Sequence, residues 1–125
     1  MLKELCLLAV AGAAGTLSRY GLAELVQRVC GGRFPWGTLC VNALGCFLFG
    51  LVWALAEERL VISGQTRLVL LVGFMGAFTT FSTFAYDTSA LLRDSQWWLA
   101  AGNLLAQNVL GLTCIFLGLA IPRWL

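Results

Sequence analysis

The fold class predicted is all-α and membrane-embedded, one domain (residues 1–125) of four transmembrane helices. Three observations carry this. Of the 125 residues, 60% are hydrophobic and 11% charged, against roughly 45–50% and about 25% in soluble domains. Short polar stretches divide the chain into four long apolar runs. Those runs are continuous, without the alternation of a barrel strand, and only helices or closed barrels span lipid. Eight basic and six acidic residues cannot cover a water-facing surface. A soluble enzyme is excluded, and so is a nucleic-acid binder, which needs a clustered basic face.

The first span runs from about Leu5 to Val26, with one interior charge, Arg19. The run continues to Arg19 and Tyr20 without an A-x-A-like cleavage site before polar sequence, so a retained helix is expected rather than a signal peptide. Gln27 to Pro35 reads as a loop. Trp36 to Ala56 is uncharged and forms the second span. Ser63-Gly64 supplies turn chemistry before the third span, which runs from near Arg67 to about Leu92. Arg93 to Gln96 is a short turn. The fourth span, Trp97 to Ile121, is expected to stop at Pro122-Arg123. Tryptophans 36, 53, 97, 98 and 124 sit at or near span ends, as interfacial anchors do. Five cysteines, an odd number, without a C-x-x-C pair, and no histidine support neither a disulfide framework nor a zinc site.

Charge leaves the orientation undecided. With Arg19 set aside, Lys3, Arg59, Arg67 and Arg123 fall on one side, and Arg28, Arg33 and Arg93 on the other. Topology follows the Lys/Arg bias, and four against three is almost none. The expectation is dual topology, with opposite copies pairing about a two-fold axis, the commonest closed assembly.

Polar groups inside a span are expensive and mark function or helix contacts. Gly12 and Gly15 read as ordinary close packing. Arg19 has two readings, snorkelling to the interface or lining a basic vestibule that concentrates anions. Asn42 is either a helix–helix hydrogen bond or a pore-lining amide. Residues 73–84 carry four hydroxyls within five positions, Thr79, Thr80, Ser82 and Thr83, after Gly73 and Gly76. Thr and Gly disfavour helix, and hydroxyls offer the backbone competing bonds. A mid-membrane break in the third helix is therefore expected, with carbonyls free for a cation and N–H groups free for an anion. Phe78, Phe81 and Phe84 recur every third residue, either as a packing stripe or with positive ring edges turned to an anion. Asn103 and Gln107 share a face of the fourth span, with Asn108 about 100° further round.

Three segments carry a resemblance. Residues 73–84 (GFMGAFTTFSTF) resemble the G-F-x-G-x-x-T-T-F-S-T-F signature of the Fluc/CrcB fluoride channels. Gly37-Thr38-Leu39 with Asn42 and Gly45 resembles their G-T-L-x-x-N-x-x-G. Gly12, Gly15, Arg19 and Tyr20 resemble their first-helix motif. The resemblance covers essentially the whole chain. It implies an antiparallel dual-topology homodimer in the cell inner membrane, with two pores for passive, selective fluoride export from the cytoplasm. It further implies a central structural sodium ion on the backbone carbonyls of Gly76 and Thr79. As pore residues it implies Asn42, Phe81 and Phe84, with Ser82 and Thr83 as a polar track, Arg19 near the vestibule, and Asn108 (with Gly111) on the fourth helix. Asp87 stands where many relatives carry Glu, and Ala77 where a second Gly is frequent.

The alternative is a small proton-coupled multidrug-type exporter, also four-helix and dual-topology. It needs an embedded carboxylate on the first helix. Only Glu24 is available there, and an i, i+4 pair with Arg28 explains it.

Overall fold

The computed structural model describes residues 1–58 and 61–124, and these form helices joined by short turns. Arg59, one of the basic residues counted for topology, lies outside the described residues. Helix α1 spans Leu2–Cys30 and α2 spans Trp36–Glu57. The third span is composite. Its first half, α3, covers 64–78: an α-helical start at Gly64–Leu68, a π-helical stretch at Val69–Met75 and a final turn at Gly76–Phe78. Its second half, α4, is Phe81–Arg93, and α5 is Trp97–Trp124.

Four segments, 2–30, 36–57, 64–93 and 97–124, are long and apolar enough to cross a membrane. The helices outrun the apolar stretches at their ends. At about 1.5 Å per residue, a 29-residue helix exceeds a hydrocarbon core of about 30 Å. Its last turns continue into the interfacial zone. The fourth helix does not stop before Pro122. It carries that residue in its last turns and ends at Trp124. Proline lacks one backbone donor, and near a helix end the loss is a single bond.

Helices α2 and α5 make the most extensive pair, and α1 packs on α2 and α3. The core is small: Val41, Leu71, Met75 and Phe78, with Leu22 and Phe74 among the side chains around it. Gly15 of α1 is buried, and a Cβ there would run into the Phe74 carbonyl, so this glycine allows the close α1–α3 approach. Most of α1 faces outward, with Val10, Leu17 and Tyr20 exposed. Lipid accommodates such a surface, whereas a soluble monomer rarely shows a large contiguous apolar patch. At one end, Arg67 pairs with Glu57 and Arg123 with Glu58. At the other end, Gln27 ties down the α1–α2 loop. Its Nε2 donates to the Gly32 and Phe34 carbonyls, and its Oε1 accepts from the Gly37 N–H.

Candidate functional site

The interruption falls at Thr79 and Thr80. Both are extended, at φ −85°, ψ 157° and φ −151°, ψ 112°, where β-branched residues are at ease. Each threonine closes one helix end. Thr79 bonds the Met75 carbonyl through both its N–H and its hydroxyl, each at 3.0 Å. Thr80 is the N-cap of α4, its hydroxyl accepting from the Thr83 N–H at 3.2 Å. This is the preferred chemistry for a helix start. The same hydroxyl donates to Thr83 Oγ1 at 3.0 Å and lies 3.4 Å from Ser82 Oγ.

Asn42 of α2 holds the interruption open. Its Oδ1 accepts from the Thr80 N–H at 2.8 Å, and its Nδ2 donates to the Thr80 carbonyl at 3.1 Å. In a continuous helix the Thr80 N–H would bond the carbonyl four residues earlier, that of Gly76. Asn42 takes that donor, so the Gly76 carbonyl loses its helical partner. Gly76 itself is exposed. The second Asn42 amide hydrogen goes to Gln107 Oε1 of α5 at 3.0 Å. Gly45, one turn along α2, leaves room for Thr79. A Cβ there would collide with Thr79 Cγ2.

Two recesses meet at Thr80. The first, about 580 Å³, is lined by Arg19, Gln27, Arg33, Thr38, Thr83 and Asp87 among others. Thr38 Oγ1 donates to Asp87 Oδ2 at 2.7 Å. Arg19 is half-buried, and its Nε is buried without a hydrogen-bond partner among the described residues. The second recess, about 380 Å³, is lined by Asn42, Phe49, Phe81, Phe84, Gln107 and Asn108, with Cys46 and Thr79 beside them. Phe81 and Phe84 meet edge-to-face, centroids 5.5 Å apart at 73°. Phe84 is buried, whereas Phe81 is 78% exposed. Neighbouring polar groups open outward as well: Ser82 and Asn108 are exposed, and Asn108 Nδ2 donates to the Leu104 carbonyl at 2.7 Å.

Residues 6–119 match the family described as CrcB-like protein, Camphor Resistance (CrcB). The chain belongs to the CrcB family. It is similar to proteins named Fluoride-specific ion channel FluC over nearly its full length. Identity is 64% to that of Nitrosococcus oceani and 54% to that of Solidesulfovibrio magneticus, each over 98% of both chains. It is 45% to that of Geobacter sulfurreducens, over 94% of this chain and 95% of the relative. With its four spans, this CrcB protein is a multi-pass membrane protein.

In this CrcB chain the sequence-named residues fall into two groups. Asn42, Thr79, Phe81, Phe84 and Asn108 share the second recess, and Arg19 and Thr83 line the first. Ser82 lies beside them on the first turn of α4, and Gly76 just before the interruption. Neither residue lines a recess described above. Glu24 bonds Arg28 at 3.0 Å on an exposed surface, so no embedded carboxylate stands free on α1. Four participants were not singled out as site residues. Thr80 joins the two recesses, Gln107 receives Asn42, and Asp87 with Thr38 closes one wall of the first. Gln107 had a visible signal, a carboxamide deep in an uncharged span. Asp87 had one too, a charge late in the third.

Proposed function

We propose that this chain forms a fluoride-selective passive ion channel that exports fluoride from the cytoplasm across the cell inner membrane. It transports an ion and catalyses no reaction. The observation that carries this is the interrupted third span, with Phe81, Phe84 and the hydroxyls of Thr80, Ser82 and Thr83 gathered at the start of α4. It occurs in a chain matching fluoride-specific relatives over nearly its full length. Fluoride is small and strongly hydrated, so a selective path must replace water's donors without a fixed charge that traps the ion. Hydroxyls, amides and the positive edges of phenyl rings do this. The N-terminus of α4 adds its dipole. Arg19 beside the first recess gathers anions at the entrance.

The working unit in this reading is an antiparallel dual-topology homodimer with two pores. Gly76, Ser82 and Asn108 are exposed deep within spans, where their backbone and side-chain polar groups are costly in lipid and a second copy would cover them. The near-even split of basic residues allows that copy to be inverted. A sodium ion at the centre would be held by the carbonyls of Gly76 and Thr79 from both copies. Hard cations take oxygen ligands, and the diverted Thr80 N–H leaves Gly76 with an oxygen to offer. When bound, the ion supplies a fixed positive charge that holds the four carbonyls together. Asn42, Phe81, Phe84, Ser82, Thr83 and Asn108 would line each path, with Arg19 at its mouth.

Proteoliposomes containing only this chain test the reading. Fluoride should leave without a proton gradient while chloride is retained. Chloride passing as readily as fluoride, or fluoride efflux that requires a proton gradient, overturns it.

A further inference from the structure

Both amide hydrogens of Asn42 are engaged, and its oxygen accepts one bond. Its Oδ1 is fixed by the Thr80 N–H, a backbone donor that cannot be reassigned, so its Nδ2 must face both the Thr80 carbonyl and Gln107. The Gln107 atom meeting that Nδ2 must therefore be the oxygen. The other end, Nε2, is buried without a hydrogen-bond partner among the described residues. Burying an unpaired amide donor is unfavourable, and an apolar side chain of similar length would avoid it. What the glutamine provides there is its accepting end.

The geometry points to Gln107 as a positioning residue for the interruption in the third span. Its Oε1 holds Asn42 in the one orientation that clamps both backbone groups of Thr80 and keeps the Thr80 N–H away from Gly76. Without that acceptor the Asn42 side chain is free to turn about its terminal torsion, a broad, soft rotation for an amide. The Thr80 N–H can then fall back to Gly76, extending α3 toward α4. The inference deepens the channel reading above and rests on it only for its flux consequence. Gln107 acts through α5, the helix most extensively packed on α2, so the clamp also ties the break to that helix pair.

The test uses the full chain in lipid, with Gln107→Met, Asn42→Ala and their combination. Interhelical hydrogen bonds in membranes are modest, so Gln107→Met should slow fluoride efflux roughly 3- to 20-fold. Thermal stability should change little, because the unpartnered Gln107 donor is gone while one Asn42 amide hydrogen loses its acceptor. The double variant should be no slower than Asn42→Ala alone. A spectroscopic arm needs no flux. With nitrogen-15 in asparagine side chains, both Asn42 Nδ2 protons should exchange slowly in the parent, and one should lose protection in Gln107→Met. Gln107→Glu keeps an accepting oxygen, so both should stay protected. Losses that multiply in the double variant overturn the proposal, as do parent-like flux and protection in Gln107→Met, or lost protection in Gln107→Glu. If the parent itself passes no fluoride, the channel reading falls while proton exchange still decides the role of Gln107.

Discussion

Gly45→Ala tests whether the interruption is held by shape as well as by hydrogen bonds. The added methyl would collide with Thr79 Cγ2 and lie 3.3 Å from Phe78 Cδ1. Phe78 can give by the few tenths of an ångström needed. Thr79 cannot yield so cheaply, because its rotamer is set by the hydroxyl bond to the Met75 carbonyl at 3.0 Å. Turning the side chain away forfeits that bond, worth about 1 kcal/mol. Staying put means overpacking, about 1–3 kcal/mol. The cheaper response sets the cost at about 1 kcal/mol or more on the interrupted geometry, so fluoride efflux should fall roughly fivefold or more. The discriminating assay is suppression. Thr79→Ser removes the colliding methyl and keeps the hydroxyl, so Gly45→Ala with Thr79→Ser should recover most of the lost flux and melting temperature. Full activity in Gly45→Ala, or no recovery in the pair, would show that the Gly45–Thr79 contact does not shape the break.

Further outcomes follow from the same geometry. Phe81→Ile should cut fluoride flux while the proposed dimer persists on size-exclusion chromatography, and unchanged flux would reassign the ring to packing. Arg19→Gln should slow efflux more at low ionic strength than at high, because attraction of anions to the first recess is screened by salt. A salt-independent loss would place Arg19 in packing instead. A tag at the C-terminus should be reachable by impermeant label from both faces of the membrane, and labelling from one face alone would refute dual insertion.

The four spans and the interruption were legible in the chain because both are local properties. Twenty-odd apolar residues force a helix across lipid wherever it packs. Thr79 and Thr80, following two glycines, bias the backbone away from helix before any neighbour is consulted. The π-helical winding at Val69–Met75 left no comparable mark in composition, and the helix running through Pro122 went against the local rule.

Side-chain partners were another matter. Asn42 could be named from its place in an uncharged span, but not that Thr80 and Gln107 would consume its amide. Gln107 and Asn108 are neighbours in sequence and about 100° apart round α5. The rotation of α5 against α2 turns one toward Asn42 and leaves the other on the outer face. Thr38 and Asp87, 49 residues apart, meet through the corresponding rotation of α4 against α2. By itself, then, the sequence determined a small, charge-poor membrane domain of four spans with a weak point in the third. Only the tertiary structure decided which polar groups are already satisfied and which are left without a partner among the described residues. Hydropathy and backbone propensity are read along one chain, whereas hydrogen-bond partnership depends on the relative rotation of helices that pack against one another.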